Sequence, residues 1–159
     1  MALTIKSGPW GEEAVAAFLD RTVIPLRLAS LRQDPEGRIW PVVQSLWFSY
    51  RQDSLWCATQ AGSALVGRLA RDPAVAFEVS ADDPPYRGVR GSGQAEVITE
   101  AEEVLRELIA RYGQQGTPLA AWLLGRVATE VAIRVSSLQV STWDYAGRMQ
   151  LAAQRDTRP

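Results

Sequence analysis

Residues 38–69 constrain the fold more than any other segment, because they predict a long strand, a polar turn, a second strand and a short helix in succession. Apolar and β-prone residues dominate residues 38–50, and Pro41 stands early in that run, where a strand tolerates proline. Residues 51–54 are a polar break, and residues 55–59 again alternate between two faces. The two runs therefore predict an antiparallel hairpin.

The helix of this segment begins at Ser63, a good N-cap residue, and ends at Asp72-Pro73. Leu65 and Leu69 lie at helical spacing on one side of it. A capped helix that starts just after a strand leaves free backbone amides pointing outward, which suits a phosphate group. Capping alone also accounts for Ser63, so the spacing by itself leaves both interpretations open.

The rest of the chain mixes further helices and strands. An apolar stripe predicts a helix over residues 11–20, and Thr99 with Glu102 predicts a capping box for a second helix. Thr117, followed by a proline at the first helical position, begins a third. Alternation predicts strands over residues 26–31, 75–79, 87–98, 130–139 and 140–145, with a loop at 81–86. We expect the polar tail, about residues 148–159, to be frayed or disordered.

Small residues recur in the strand predicted over residues 87–98, where Gly91, Gly93 and Ala95 take alternate positions. Small residues in the middle of a strand mark close backbone approach or tight curvature. This pattern favours a small closed or nearly closed barrel. We expect a single domain over residues 1–159, because no linker or internal repeat divides the chain.

The composition argues against several classes of function. The 17 basic and 18 acidic residues give a net charge of −1, which offers no attraction to a nucleic-acid backbone. With no histidine and one cysteine, Cys57, the chain cannot build histidine-dependent catalytic triads or histidine-ligated zinc sites. The acid pairs at 82–83 and 102–103 suit a loop and a helix cap, so we expect no metal. Without a long apolar run or a leader, we expect no membrane association and a cytoplasmic location.

Several short stretches, in their order and spacing, resemble a known family. They are residues 24–31, Gly37, 41–43, 46–48, 57–59, 62–63, 69–76, 84–91 and 141–144. Through them the chain resembles the pyridoxamine 5'-phosphate oxidase-like split-barrel family of flavin-binding proteins. The resemblance implies a mainly β fold, an antiparallel split β-barrel of six to eight strands with peripheral helices. It also implies a homodimer, because the proteins it resembles bind flavin at a two-fold interface that both subunits complete.

The resemblance implies three groups of cofactor-binding positions: the end of the long strand against the flavin ring, the next strand end and helix start around the phosphate, and a tryptophan near the cofactor. In this chain they are Gln44, Ser45, Leu46 and Trp47, then Thr59 and Ser63, then Trp143.

The chain departs from the family pattern at Leu65, where many relatives carry lysine or arginine two residues after the serine. Leucine cannot pair with a phosphate dianion, and a charge-assisted hydrogen bond of that kind is worth about 1.5 to 3 kcal/mol. Arg68, one helical turn later, is a candidate replacement, and a solvated surface arginine is the alternative. Arg90 is a further candidate for an anionic ligand group, whereas Arg87 points to the opposite face of the same strand.

The function implied by the resemblance is an FMN-dependent oxidoreductase that acts on a small organic substrate, with the flavin transferring hydride. One alternative is a reductase that uses a deazaflavin coenzyme. Another is a non-catalytic flavin- or small-ligand-binding dimer that has lost the phosphate-site cation. Oxidation of pyridoxamine phosphate itself is not expected, because the chain has no histidine for the C-terminal substrate motif of those oxidases. Tyr50 and Tyr86 are available as proton donors, but the sequence places neither at a site.

Overall fold

The computed structural model describes residues 3–156, with the backbone alone for residues 154–156. Within this range the strands are β1 Thr4–Ser7, β2 Leu26–Gln33, β3 Ile39–Leu46, β4 Ser49–Arg51, β5 Ser54–Gln60, β6 Ala74–Ser80, β7 Arg87–Ile98 and β8 Glu130–Asp144. The α-helices are α1 Glu12–Arg21, α2 Ala64–Arg71, α3 Glu102–Arg111, α4 Pro118–Gly125 and α5 Ala146–Asp156, and a 3₁₀ turn, Val127–Thr129, precedes β8.

All eight strands belong to one sheet, in the order β3-β2-β6-β7-β8-β5-β4, with β1 added beside β8. The pairs along this path are antiparallel, and β1 runs parallel to β8. The sheet does not close, because β3 and β4 form the two ends of the path. This confirms the predicted mainly β, antiparallel split barrel with peripheral helices. None of the helices within residues 3–156 has the length and apolarity needed to cross a bilayer.

The long strand predicted over residues 38–50 is wrong in its second half. Strand β3 ends at Leu46 and pairs with β2 along its whole length, while the separate strand β4 pairs with β5. The break has a physical cause in Phe48. Its side chain is fully buried, and its backbone N–H donates to the Tyr112 hydroxyl at 3.2 Å instead of to a strand. The predicted hairpin is therefore reduced to the three residue pairs of β4 with β5.

Three further predictions need correction. The N-cap of α3 is Ala101 and no side chain caps it, so Thr99 and Glu102 do not form a capping box. The two strands predicted over residues 130–145 are one continuous strand, β8, interrupted only by a local irregularity near Ser137, which has φ 54°. The expected frayed tail is helical as far as Asp156 in α5, and residues 157–159 lie outside the described range.

The barrel interior is filled by alternate residues of the strands and by two leucines of α2. Leu28, Val89 and Val135 are fully buried, and Leu65 and Leu69 of α2 are at most 4% exposed. The small residues of β7 are required by close approach, as predicted. A Cβ atom at Gly93 would lie 2.7 Å from the Ser136 carbonyl oxygen. The core therefore holds α2 against the sheet next to the edge formed by β3.

Candidate functional site

Arg68 of α2 reaches across to the two strands at one end of the sheet. Its Nε donates to Ser30 Oγ of β2 at 2.8 Å, and its Nη2 donates to Gln44 Oε1 of β3 at 2.7 Å. Ser30 is only 1% exposed, so the guanidinium is anchored at the margin of the core. The alternative of a freely solvated surface arginine is therefore wrong.

The guanidinium of Arg68 retains both charge and hydrogen-bonding capacity. Its partners, a hydroxyl and an amide oxygen, are neutral, and among the described residues no carboxylate lies within 4.0 Å of it. A guanidinium has five N–H groups, so after these two bonds three remain without a described protein partner. Arg68 is therefore a half-buried cation with N–H groups available to bind an anionic ligand group.

Leu65 is 1% exposed and packs in the core. A basic side chain at position 65 would be buried among apolar groups. Position 65 of this chain therefore does not supply a cation for a phosphate. The next cation along the helix is Arg68, three residues later. Position 65 in this chain thus supports the fold, and the positive charge of α2 near β3 comes from Arg68.

Ser63 and Thr59 lie at the start of α2 and near the end of β5. Ser63 Oγ accepts from the Val66 backbone N–H at 3.4 Å, which confirms the predicted N-cap. Thr59 pairs with Val131 of β8. No hydrogen bond in the described part of the chain joins Ser63 or Thr59 to Arg68 or Gln44. The structure therefore brings Gln44 and Arg68 together, with Ser63 five residues before Arg68, or about one and a half helical turns.

Ser45, Leu46 and Trp47 lie at the end of β3 and line a pocket of about 280 Å³. The Trp47 ring stacks on Tyr112, with centroids 4.8 Å apart and planes 9° from parallel. The Tyr112 hydroxyl donates to the Ile24 carbonyl at 2.8 Å, in addition to accepting from Phe48. Burial raises the pKa of Tyr112, so its hydroxyl stays protonated at neutral pH. Tyr112 therefore fixes the end of β3.

The free backbone edge of β3 is a feature that suits a planar cofactor. Strand β3 is an end strand of the sheet and pairs only with β2 in the described structure. An end strand leaves alternate backbone N–H and C=O groups without a strand partner. These groups point away from β2 along the edge to which Arg68 is anchored.

Arg90 lies on β7 and Trp143 on β8, and Arg90 lines the same pocket as Val43 of β3. Arg90 belongs to a cross-strand row that runs Arg27, Glu78, Arg90 and Ser141, each the register partner of the next. Its guanidinium carbon lies 5.6 Å from the Trp143 ring centroid. The row borders an open pocket of about 480 Å³. Arg27 also lines a smaller pocket that includes Ser45, so the depressions on this face adjoin one another.

Tyr50 is held away from these pockets. Burial, together with the hydrogen bond from its hydroxyl to Asp53 at 3.1 Å, raises the pKa of Tyr50 to about 12. The Tyr50 hydroxyl therefore already donates its hydrogen bond to the Asp53 carboxylate at the β4–β5 turn. This position does not favour Tyr50 as the proton donor for a ligand at β3.

Two residues of this region were not singled out from the sequence. Ser30 had a signal, because it is the polar member of an apolar alternation with Leu26 and Leu28 on the buried face of β2. Tyr112 had none, since its partners Ile24 and Phe48 are 88 and 64 residues away in the chain.

The comparisons with known proteins agree with this architecture. Residues 12–139, most of the chain, match the family model described as pyridoxamine 5'-phosphate oxidase. The chain belongs to the pyridoxamine 5'-phosphate oxidase family. No curated protein matches the chain in sequence.

Solved structures of similar proteins share this architecture. A conserved hypothetical protein from Mycobacterium tuberculosis is 25% identical, with a TM-score of 0.69 and 86% of each chain covered. An F420 reductase is 26% identical, with a TM-score of 0.61, covering 80% of this chain and 94% of that one. A pyridoxamine 5'-phosphate oxidase assigned provisionally in Listeria innocua is 15% identical, with a TM-score of 0.61, covering 82% and 95%. At that identity, it supports the fold alone.

Proposed function

We propose that this member of the pyridoxamine 5'-phosphate oxidase family is a flavin-dependent oxidoreductase that uses FMN on a small organic substrate. The observation that carries the proposal is the anchoring of Arg68, a cation without a carboxylate partner, against Gln44 of the end strand β3. Free backbone groups and a fixed cation at one edge suit the two ends of a phosphorylated planar cofactor.

In this proposal the chain's own residues bind and orient the cofactor. Arg68 and the start of α2 at Ser63, with Thr59 beside it, hold the phosphate. The backbone from Gln44 to Trp47 contacts the ring, and Tyr112 keeps that backbone in place. A bound flavin supplies hydride transfer. The protein contributes position and a surface that excludes water.

We further propose that the site is completed by a second copy of the chain. The support for this proposal is the set of apolar side chains exposed on the end strand β3, namely Ile39, Trp40 and Val43. Arg90 of β7 lines the pocket of about 480 Å³ together with Val43, and Trp143 lies next to Arg90. A second copy packed against Val43 would therefore border the pocket that contains Arg90.

A deazaflavin coenzyme is the second candidate cofactor. Support for it comes from the 26% identity to an F420 reductase and from the apolar, buried residue at position 65. A site without a lysine or arginine at this position has one fewer phosphate contact. A deazaflavin reductase would use the same edge of the sheet and the same pockets.

The test is a titration of purified, cofactor-free protein with FMN and, separately, with a deazaflavin coenzyme, followed by quenching of tryptophan fluorescence. Trp47 lies at the proposed ring position, so binding there should quench its emission. We expect saturable binding of FMN in the micromolar range or tighter. Saturable binding of the deazaflavin coenzyme alone would favour the second candidate. Failure to bind either would contradict the proposed function and leave a non-catalytic role.

A further inference from the structure

The pocket beside Ser45, Leu46 and Trp47 has walls of a distinct chemical character. We call it the leucine pocket. It lies between the end of β3, strand β5 and helices α3 and α4, and its volume is about 280 Å³. Its walls are formed mainly by Leu46, Trp47, Ala58, Leu108, Leu119 and Leu123. Leu119 is 41% exposed, which places it where solvent and ligands have access.

The charge of the leucine pocket is already neutralised. Among the described residues that line the pocket, Glu130 carries the charge, and it is 5% exposed. The Arg126 guanidinium pairs with this carboxylate, with Nη2 2.8 Å from Glu130 Oε1. Arg126 itself packs 4.2 Å from the Trp122 ring centroid. No cation is left over in the lining to pair with a phosphate, sulfonate or carboxylate group on a ligand.

We propose that the leucine pocket is the substrate site and that it selects a neutral, apolar small molecule. This inference rests on the proposed function, since Ser45, Leu46 and Trp47 line the pocket and also belong to the strand end proposed to contact the cofactor ring. A substrate in the pocket would then lie next to the ring. An anionic substrate would lose its hydration there without gaining a cation, which is strongly unfavourable.

A matched pair of fluorescent probes tests this selectivity without any turnover. N-phenyl-1-naphthylamine is neutral, and 8-anilino-1-naphthalenesulfonate has the same ring skeleton with one sulfonate added. Both emit strongly only in apolar surroundings. We expect saturable binding of the neutral probe to wild-type protein, at least ten-fold tighter than binding of the sulfonate.

Substitutions show whether the neutral probe occupies this pocket. Leu119→Glu places a carboxylate in the lining and should weaken neutral-probe binding ten-fold or more. Leu151→Glu is the matched control, because Leu151 is a 62% exposed leucine of α5 outside the pocket lining and should leave binding unchanged. Leu123→Trp fills the pocket without adding charge and should also abolish binding. Circular dichroism of each variant confirms that it is folded.

Several outcomes would overturn the inference. They are equal or tighter binding of the sulfonate, unchanged neutral-probe binding in both Leu119→Glu and Leu123→Trp, and failure of the neutral probe to saturate. The cofactor titration is run on the same preparations, so the two proposals are separated. Cofactor binding without neutral-probe binding overturns only the leucine-pocket inference. Neutral-probe binding by a protein that binds neither cofactor overturns the proposed function and, with it, the substrate role of the pocket.

Discussion

Tyr112 joins three parts of the chain that are far apart in sequence. Its hydroxyl donates to Ile24 and accepts from Phe48, and its ring stacks on Trp47. Tyr112→Phe keeps the stack but leaves the Phe48 N–H and the Ile24 carbonyl without their hydrogen-bond partner. We expect the free energy of unfolding to fall by about 1–3 kcal/mol, measured by urea denaturation. Tyr86→Phe is the control, because Tyr86 is 44% exposed and should change stability little. Equal stability of Tyr112→Phe and wild type would contradict the role assigned to this hydroxyl.

Cys57 is a structural residue rather than a nucleophile. Its side chain is fully buried, and burial raises the pKa of the thiol from 9.0 to about 12. At pH 8 the native protein should therefore react with Ellman's reagent far more slowly than the protein in guanidinium chloride, in which the thiol is accessible. Rapid labelling of native protein at pH 8 would contradict this burial.

The same pKa shift has a consequence for stability at high pH. The folded state favours the neutral thiol, so its stabilising contribution is complete below the unfolded pKa near 9. It is lost progressively as the pH rises from about 9 towards 12. Denaturation curves at pH 8 and pH 10.5 should show lower stability at the higher pH, with a smaller difference in Cys57→Ala.

At the scale of the elements, one of two helix caps predicted from threonine residues is present in the structure and the other is not. Thr117 caps α4, its Oγ1 accepting from the Ala120 N–H at 3.2 Å, whereas Thr99 caps nothing. Thr117→Ala should lower the free energy of unfolding by about 0.5–2 kcal/mol, and Thr99→Ala by less than about 0.5 kcal/mol. Urea denaturation of the two variants measures both. A larger loss at Thr99 than at Thr117 would contradict the structure.

Elements with a strong local pattern were predictable from the sequence. The bounds of β7 match the prediction, and α1, β2, β6 and α4 appear where alternation or helical spacing placed them. Failures occur where a distant contact decides the backbone. The long strand breaks at Phe48 because Tyr112 takes its N–H, and β1 forms because β8, more than 130 residues away in sequence, offers it a parallel partner.

The candidate site was predictable only in part, for the same reason. The sequence offered Arg68 as a candidate replacement cation, with a solvated surface arginine as the alternative, from its spacing to Leu65, which is a local property. Its anchoring to Ser30 and Gln44 depends on how α2 crosses the end of the sheet, which spacing within a helix does not specify. The position of Arg90 likewise depends on the tertiary fold, because β2 and β6 lie between β3 and β7 in the sheet and Val43 and Arg90 nevertheless line one pocket.

At the scale of the whole molecule, an apolar surface on β3 accompanies the proposed dimer. Ile39, Trp40 and Val43 are 55%, 47% and 63% exposed. If a second copy covers this surface, Val43→Glu should shift the protein from dimer towards monomer with little change in folding stability, as measured by size-exclusion chromatography with light scattering. Leu151→Glu, at an equally exposed leucine of α5, should remain dimeric. Monomeric wild-type protein at micromolar concentration would contradict the dimer.

The most direct test of the central claim compares FMN with riboflavin, which lacks the phosphate, on wild type, Arg68→Ala and Arg71→Ala. Arg71 is the matched control, because it is an exposed arginine of the same helix. If Arg68 binds the phosphate, Arg68→Ala should weaken FMN binding ten-fold or more, equivalent to about 1.4 kcal/mol, and leave riboflavin binding unchanged. Arg71→Ala should affect neither ligand. Equal losses of FMN and riboflavin affinity in Arg68→Ala, or no loss of either, would contradict the assignment of Arg68 as the phosphate-binding cation.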